Sequence, residues 1–116
     1  MKNFKTLRVW EEAMELVKMI YPLVGQLPKS EMLNLKNQIQ RSAVSIPSNI
    51  AEGCGRESAK ELNRFLDIAV GSAFELETQL FVCIKVGYFS EEQLKRELDQ
   101  VDKVQKMIYR FKQNLK

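Results

Sequence analysis

The chain has 116 residues, 45% hydrophobic and 28% charged, as is ordinary for a single soluble domain over residues 1–116. It has no histidine, the commonest general base and metal ligand, and Cys54 and Cys83 lack a metal-binding spacing. No segment is long enough to span a membrane, the N-terminus lacks a signal-peptide pattern, and no nucleotide-binding glycine motif occurs. We therefore expect a cytoplasmic protein that is not an enzyme and needs no metal, cofactor or membrane.

The first predicted helix spans about residues 7–27. Apolar residues at spacings of three and four predict its buried face: Leu7, Trp10, Met14, Val17, Tyr21 and Val24. Thr6 is the expected N-cap, Pro28 prevents extension, and Pro22 is expected to kink or restart the helix. Three further apolar residues exceed what one buried face needs: Val9, Leu16 and Leu23.

The second predicted helix spans about residues 30–53, from Ser30 as N-cap to the glycine at position 53. One stripe is apolar and predicts the core face: Leu35, Ile39, Ala43, Ile46 and Ile50. A second stripe is polar: Arg41, Ser45, Asn49, Glu52 and Arg56. Both stripes stay in phase across Pro47, which predicts a continuous helix bent at the proline, with nearby serines bonding the freed backbone groups.

The third and fourth predicted helices span about residues 58–86 and 90–115. Each opens with a capping box, Ser58 to Glu61 and Ser90 to Gln93. The third helix carries apolar residues outside its core face: Ile68, Phe74 and Val82. Short connections between long helices predict an all-α, antiparallel up-down-up-down four-helix bundle, and the surplus apolar residues predict self-association.

Two interpretations of the polar stripe remain open. In the first, a buried or interface network joins the second and third helices through Arg41, Ser45, Asn49, Glu52 and Glu75. Arg41 would then form a desolvated ion pair with Glu75 beside the small residues 71–73. In the second, Arg41, Asn49 and Arg56 contact a ligand or nucleic acid.

Basic residues are concentrated at the two ends of the chain, where no acidic residue occurs: Lys2, Lys5, Arg8, Lys103, Lys106, Arg110, Lys112 and Lys116. Antiparallel packing would place the first helix beside the end of the fourth, so these side chains would form one patch able to bind phosphates. Tyr109 and Phe111 lie among them, and for these aromatic side chains we favour core packing or a rim position over base stacking.

The run QIQRSAVSIPSNIAEG at residues 38–53 resembles the signature of a bacterial four-helix-bundle family first noticed in intervening sequences of 23S ribosomal RNA genes. Agreement extends through Trp10, Pro28, Phe65-Leu66, Glu75-Leu76-Glu77 and Gly87-Tyr88. The resemblance implies a closed bundle and a homopentameric ring. It also implies a relationship to accessory proteins of diversity-generating retroelements, which bind nucleic acid and a reverse transcriptase.

Two function classes follow. The favoured one is a non-catalytic homo-oligomer that binds RNA or DNA through the basic ends without strong sequence preference. The alternative is a protein–protein scaffold, with a partner such as a reverse transcriptase and no role for nucleic acid.

Overall fold

The computed structural model describes residues 3–115, which contain four α-helices and no strand. The helices are α1 (Arg8–Val24), α2 (Leu35–Cys54), α3 (Ala59–Lys85) and α4 (Lys95–Gln113). Short 3₁₀ helices at Phe4–Thr6 and Lys29–Glu31 precede α1 and α2. The predicted all-α four-helix fold is confirmed, and residues from all four helices contribute to one hydrophobic core.

Helix starts are less well predicted than helix stops. Ser30 belongs to a 3₁₀ helix, and α2 begins only at Leu35, after Asn34. The Ser90 box forms both reciprocal bonds with Gln93, at 2.8 and 3.1 Å, but it closes a turn and α4 begins at Lys95. Thr6 is not the N-cap of α1, because its hydroxyl donates to the Asn3 carbonyl in the preceding 3₁₀ helix. Capping chemistry can thus stabilise a turn before a helix as well as the helix itself.

The core face of α1 was predicted only in part. The buried residues are the three assigned as surplus, two neighbours and one residue of the predicted face: Val9, Leu16, Leu23, Ala13, Ile20 and Val24. Met14 and Tyr21, predicted to be buried, are 43% and 46% exposed, whereas Leu7, Trp10 and Val17 pack partly buried against the core. Both stripes have spacings of three and four, so periodicity alone cannot decide between them.

The predicted core face of α2 is confirmed. Ile39, Ala43, Ile46 and Ile50 are fully buried on α2. The surplus residues of α3 are exposed, as expected: Ile68 (41%), Phe74 (54%) and Val82 (40%). α1 runs unbroken through Pro22 and α2 through Pro47, so the predicted restart near residue 21 is wrong, while the two bends remain predictions.

Cross-helix bonds show the direction of two neighbouring pairs. Ser42 bonds to Glu75 while Ser45 bonds to Ser72, so numbers rise along α2 as they fall along α3. Two contacts give the same result for α3 and α4: Gln105 with Glu77 and Lys112 with Asp67. The connection between α1 and α2 also contacts the connection between α3 and α4, because the Tyr88 hydroxyl donates to the Glu31 carboxylate at 2.6 Å.

Candidate interaction surfaces

A polar groove of about 530 Å³ runs between α2 and α3. We call it the α2–α3 groove and define it by its lining residues, all polar: Gln38, Arg41, Ser42, Ser45, Glu75 and Gln79. The predicted polar stripe of α2 supplies Arg41 and Ser45 to one wall, and α3 supplies the other. The stripe therefore lies beside the neighbouring helix, as its phase with the core face requires.

Hydroxyl groups join the two walls of this groove. The Ser45 and Ser72 Oγ atoms lie 2.7 Å apart, and Ser42 donates to Glu75 Oε1 at 3.3 Å. Asn49 Nδ2 donates to both the carbonyl and the hydroxyl of Ser45, at 2.8 and 2.9 Å. Ser42 and Ser45 therefore bond across the helices or to Asn49, and neither is seen to satisfy the backbone groups freed by Pro47.

The predicted desolvated ion pair between Arg41 and Glu75 is absent from the described part of the chain. Both side chains are exposed, and Glu75 accepts its hydrogen bond from Ser42 instead. Glu52 is also exposed and pairs within its own helix with Arg56, at 2.9 Å. The burial predicted for these charges is wrong, because the small hydroxyl side chains occupy the closest part of the helix–helix contact.

Gln79 is a member of the groove that the sequence interpretation missed. Its side chain is 8% exposed, and its Oε1 atom is buried without a hydrogen-bond partner among the described residues. Gln79 follows Ser72 by seven residues, two helical turns, and so lies on the same face of α3. The seven-residue spacing from Ser72 is the sequence feature that could have identified Gln79 as a groove residue.

Glu12 joins the beginning of α1 to α4 at the basic end of the bundle. Gln100 Nε2 donates to the Glu12 carboxylate at 2.9 Å and to its backbone carbonyl at the same distance, and Lys103 Nζ lies 3.1 Å from that carboxylate. These hydrogen bonds, first from Gln100 and then from Lys103, lower the pKa of Glu12, and the nearby charges of Lys103 and Arg8 add to the effect. Lys103 thus contacts this carboxylate directly, and Arg8 acts on it only through its more distant charge.

Some of the other residues predicted to contact nucleic acid already pair with a carboxylate, and others do not. Lys106 pairs with Asp102 at 2.9 Å, and Lys112 pairs with Asp67 of α3. The Lys5 ammonium lies 5.9 Å from the centre of the Phe4 ring. Arg110 has no carboxylate within ion-pair distance in the described chain. Lys2 and Lys116 lie outside the described residues.

The two aromatic residues of the basic end have different environments. Phe111 is half-buried and packs against the core, as expected. Tyr109 is 62% exposed on a surface shared with Gln105, Lys106 and Arg110. Tyr109 therefore lies on the surface of the protomer, and the rim position stays a prediction.

Within residues 3–115, no cluster of three or more cysteine or carboxylate side chains is arranged to hold a metal ion. Both cysteines are buried, and burial raises the pKa of the Cys83 thiol. None of the described helices is long and apolar enough to cross a membrane.

The sequence matches the model of the family described as "23S rRNA-intervening sequence protein" over residues 5–110. The chain belongs to this family. No curated protein matches it.

A crystal structure also resembles this member of the 23S rRNA-intervening sequence family. It is a protein of unknown function from the S23 ribosomal protein family of Bacteroides thetaiotaomicron. The two share 26% identity with a TM-score of 0.83 over 90% of this chain and 97% of the other. The family and the fold are therefore established together, and the predicted resemblance is confirmed.

Proposed function

We propose that this protein is a non-catalytic, self-associating bundle that binds RNA or DNA without strong sequence preference through its basic end. The observation that carries the proposal is the junction at Glu12, where Arg8 of α1 and Lys103 of α4 act on the same carboxylate. Arg8 and Lys103 are far apart in the sequence, and their influence on one carboxylate supports a common basic surface on α1 and α4. The family name, which refers to ribosomal RNA, agrees with this choice of ligand.

Self-association is supported by apolar side chains that the protomer leaves exposed on α3. Phe74 and Phe81 are 54% and 47% exposed, and Val86, directly after α3, is 57% exposed. Burial of apolar surface is favourable by about 25 cal/mol per Å². Packing against further copies would therefore be favourable, and the resemblance suggests a pentameric ring. A ring would repeat the basic end around one rim.

Ion pairs within the protomer reduce the positive charge available to phosphates, but they do not remove it. The Lys106–Asp102 pair is exposed, with 68% and 52% of the two side chains accessible. Such pairs contribute only about 0.3–0.5 kcal/mol, so a phosphate can replace the carboxylate. Lys5, Arg8 and Arg110 have no carboxylate within ion-pair distance among the described residues. A phosphate could therefore bind them without displacing an internal partner.

The test is a salt titration of binding to labelled, mixed-sequence RNA and DNA. Each phosphate contact should contribute a slope of about −0.7 on single strands and about −0.9 on duplex DNA in log affinity against log salt. Replacing Lys106, Arg110 and Lys112 together with glutamine should reduce the slope. The matched control replaces Lys85, Lys95 and Arg96, which carry the same charge at the other end of the bundle. Equal slopes for both variants would contradict a basic-end site.

A protein–protein scaffold is the second candidate function. It is favoured by the pairing of Lys103, Lys106 and Lys112 with carboxylates, since these cations then have a structural role. The exposed aromatic residues Phe74 and Phe81 would contact the partner protein, for which the resemblance suggests a reverse transcriptase. Absence of nucleic-acid binding at low salt would favour this candidate.

A further inference from the structure

The α2–α3 groove holds two opposite charges that the protomer does not pair with each other. Arg41 lies on one wall and Glu75 on the other, and both are exposed. Glu75 receives one hydrogen bond, from Ser42 to Oε1, and Arg41 has no ion-pair partner among the described residues. The groove therefore offers one cation and one anion to whatever covers it.

The buried amide in the groove also lacks a partner. Gln79 is more than nine-tenths buried, and its Oε1 atom receives no hydrogen bond within residues 3–115. By turning its carboxamide toward the groove, Gln79 can present this oxygen to a donor on a covering molecule.

An apolar row flanks these polar groups. Ile68, Glu75 and Val82 recur every seven residues, so they lie on one face of α3, and both apolar members are at least 40% exposed. A small polar ligand would leave Ile68 and Val82 in water. A protein surface would cover the charges and the apolar side chains together.

Small side chains make the same surface accessible to another helix. Ser45 and Ser72 bond to each other at the helix contact, and a Cβ atom added to Gly71 would meet no atom within 4 Å. A second helix can therefore approach closely here, and the small methyl group of an alanine at position 71 would not prevent it.

We propose that the α2–α3 groove is covered by a second copy of this chain, with Arg41 of one protomer paired with Glu75 of the partner subunit. The groove carries both charges, so Arg41 of one copy can face Glu75 of the next copy around a ring, and this charge complementarity between identical chains favours a second copy as the occupant. The inference rests on the proposed self-association and assigns its surface.

Charge reversal tests the assignment by light scattering at a series of protein concentrations. Arg41→Glu and Glu75→Arg should each weaken association at least ~10-fold, because a like-charge contact replaces an opposite-charge one. The double variant should restore association. A mixture of the two single variants should have a higher mass than either alone, which an ion pair within one protomer would not produce.

Two controls keep the result interpretable. Helical content measured by circular dichroism should match the wild type in every variant, because both side chains are exposed in the protomer. Lys95→Glu and Asp99→Lys reverse charges of an exposed pair on α4 and should leave the mass unchanged. Single reversals that keep the wild-type mass, or a double variant that stays dissociated, would overturn the groove assignment alone. A monomeric wild-type protein would overturn self-association itself.

Discussion

Ser45 of α2 and Ser72 of α3 share a hydrogen bond of 2.7 Å at the contact between the two helices. Ser72 is buried, whereas Ser45 also accepts a hydrogen bond from Asn49. The loss of their shared hydrogen bond should therefore affect Ser72 more than Ser45. Removing Ser45 leaves a buried hydroxyl without this partner, while removing Ser72 leaves Ser45 bonded to Asn49.

Ser45→Ala should therefore lower the free energy of unfolding by about 1–3 kcal/mol, and Ser72→Ala by only about 0.5–1.5 kcal/mol. The double variant should lose less than the sum of the two single losses, since no hydroxyl remains to be stranded. Urea unfolding at one fixed protein concentration measures all three. Additive losses would show that the two hydroxyl groups do not interact.

Two glycines should respond in opposite directions to alanine. A Cβ atom at Gly53 would lie 2.8 Å from Leu62 Cδ1 and 2.9 Å from Phe65 Cβ, whereas one at Gly71 would meet open space. Gly53→Ala should lower the free energy of unfolding by about 1–3 kcal/mol through overpacking. Gly71→Ala should raise it by up to about 1 kcal/mol through helix propensity.

Each glycine variant is the control for the other, because both replace glycine with alanine inside a helix. Thermal unfolding monitored by circular dichroism at matched concentrations compares them. A stabilised Gly53→Ala variant would contradict the close approach of α2 and α3 near Leu62.

The hydrogen bonds to Glu12 should make the free energy of unfolding depend on pH in the acidic range. Its pKa is lowered from 4.5 in the folded protein, first by Gln100 and then by Lys103. A lowered pKa contributes stability that is complete above the unfolded value and is lost as pH falls through the folded value. The wild type should therefore lose more stability than Glu12→Gln when pH falls from neutral to below 4.5.

The control for this acid dependence is Glu57→Gln, an exposed residue outside the ion pairs of the described chain. Its curve of stability against pH should follow that of the wild type more closely than the Glu12→Gln curve does. A Glu12→Gln curve parallel to that of the wild type would show that this carboxylate does not join α1 to α4.

Much of the fold follows from periodicity and punctuation, and its failures have physical causes. Gly55 and Gly87 follow closely on the ends of α2 and α3, whereas α1 ends at Val24, before Pro28. The start of α2 was missed, since Ser30 lies within a 3₁₀ helix that begins at Lys29. The face of α1 was missed in part because Val9 and Leu16 form a stripe as regular as that of Trp10 and Met14.

The candidate surfaces were predicted in outline but not in their contacts. The phase of the α2 stripe placed Ser45 beside α3, where it bonds to Ser72, whereas Asn49 bonds to Ser45 within α2. Partner choice depends on side-chain length and solvent access, which spacing does not describe. Arg41 therefore remains in solvent, and Ser42 reaches Glu75 in its place.

Both candidate functions depend on self-association, and the molar mass in solution tests it most directly. Light scattering on protein eluting from a sizing column, at micromolar concentration, should give a mass several times the 13.5 kDa of the chain, with a pentamer as the expected assembly. A mass equal to that of one chain would contradict the ring, the assigned groove and the interpretation of the exposed apolar residues of α3.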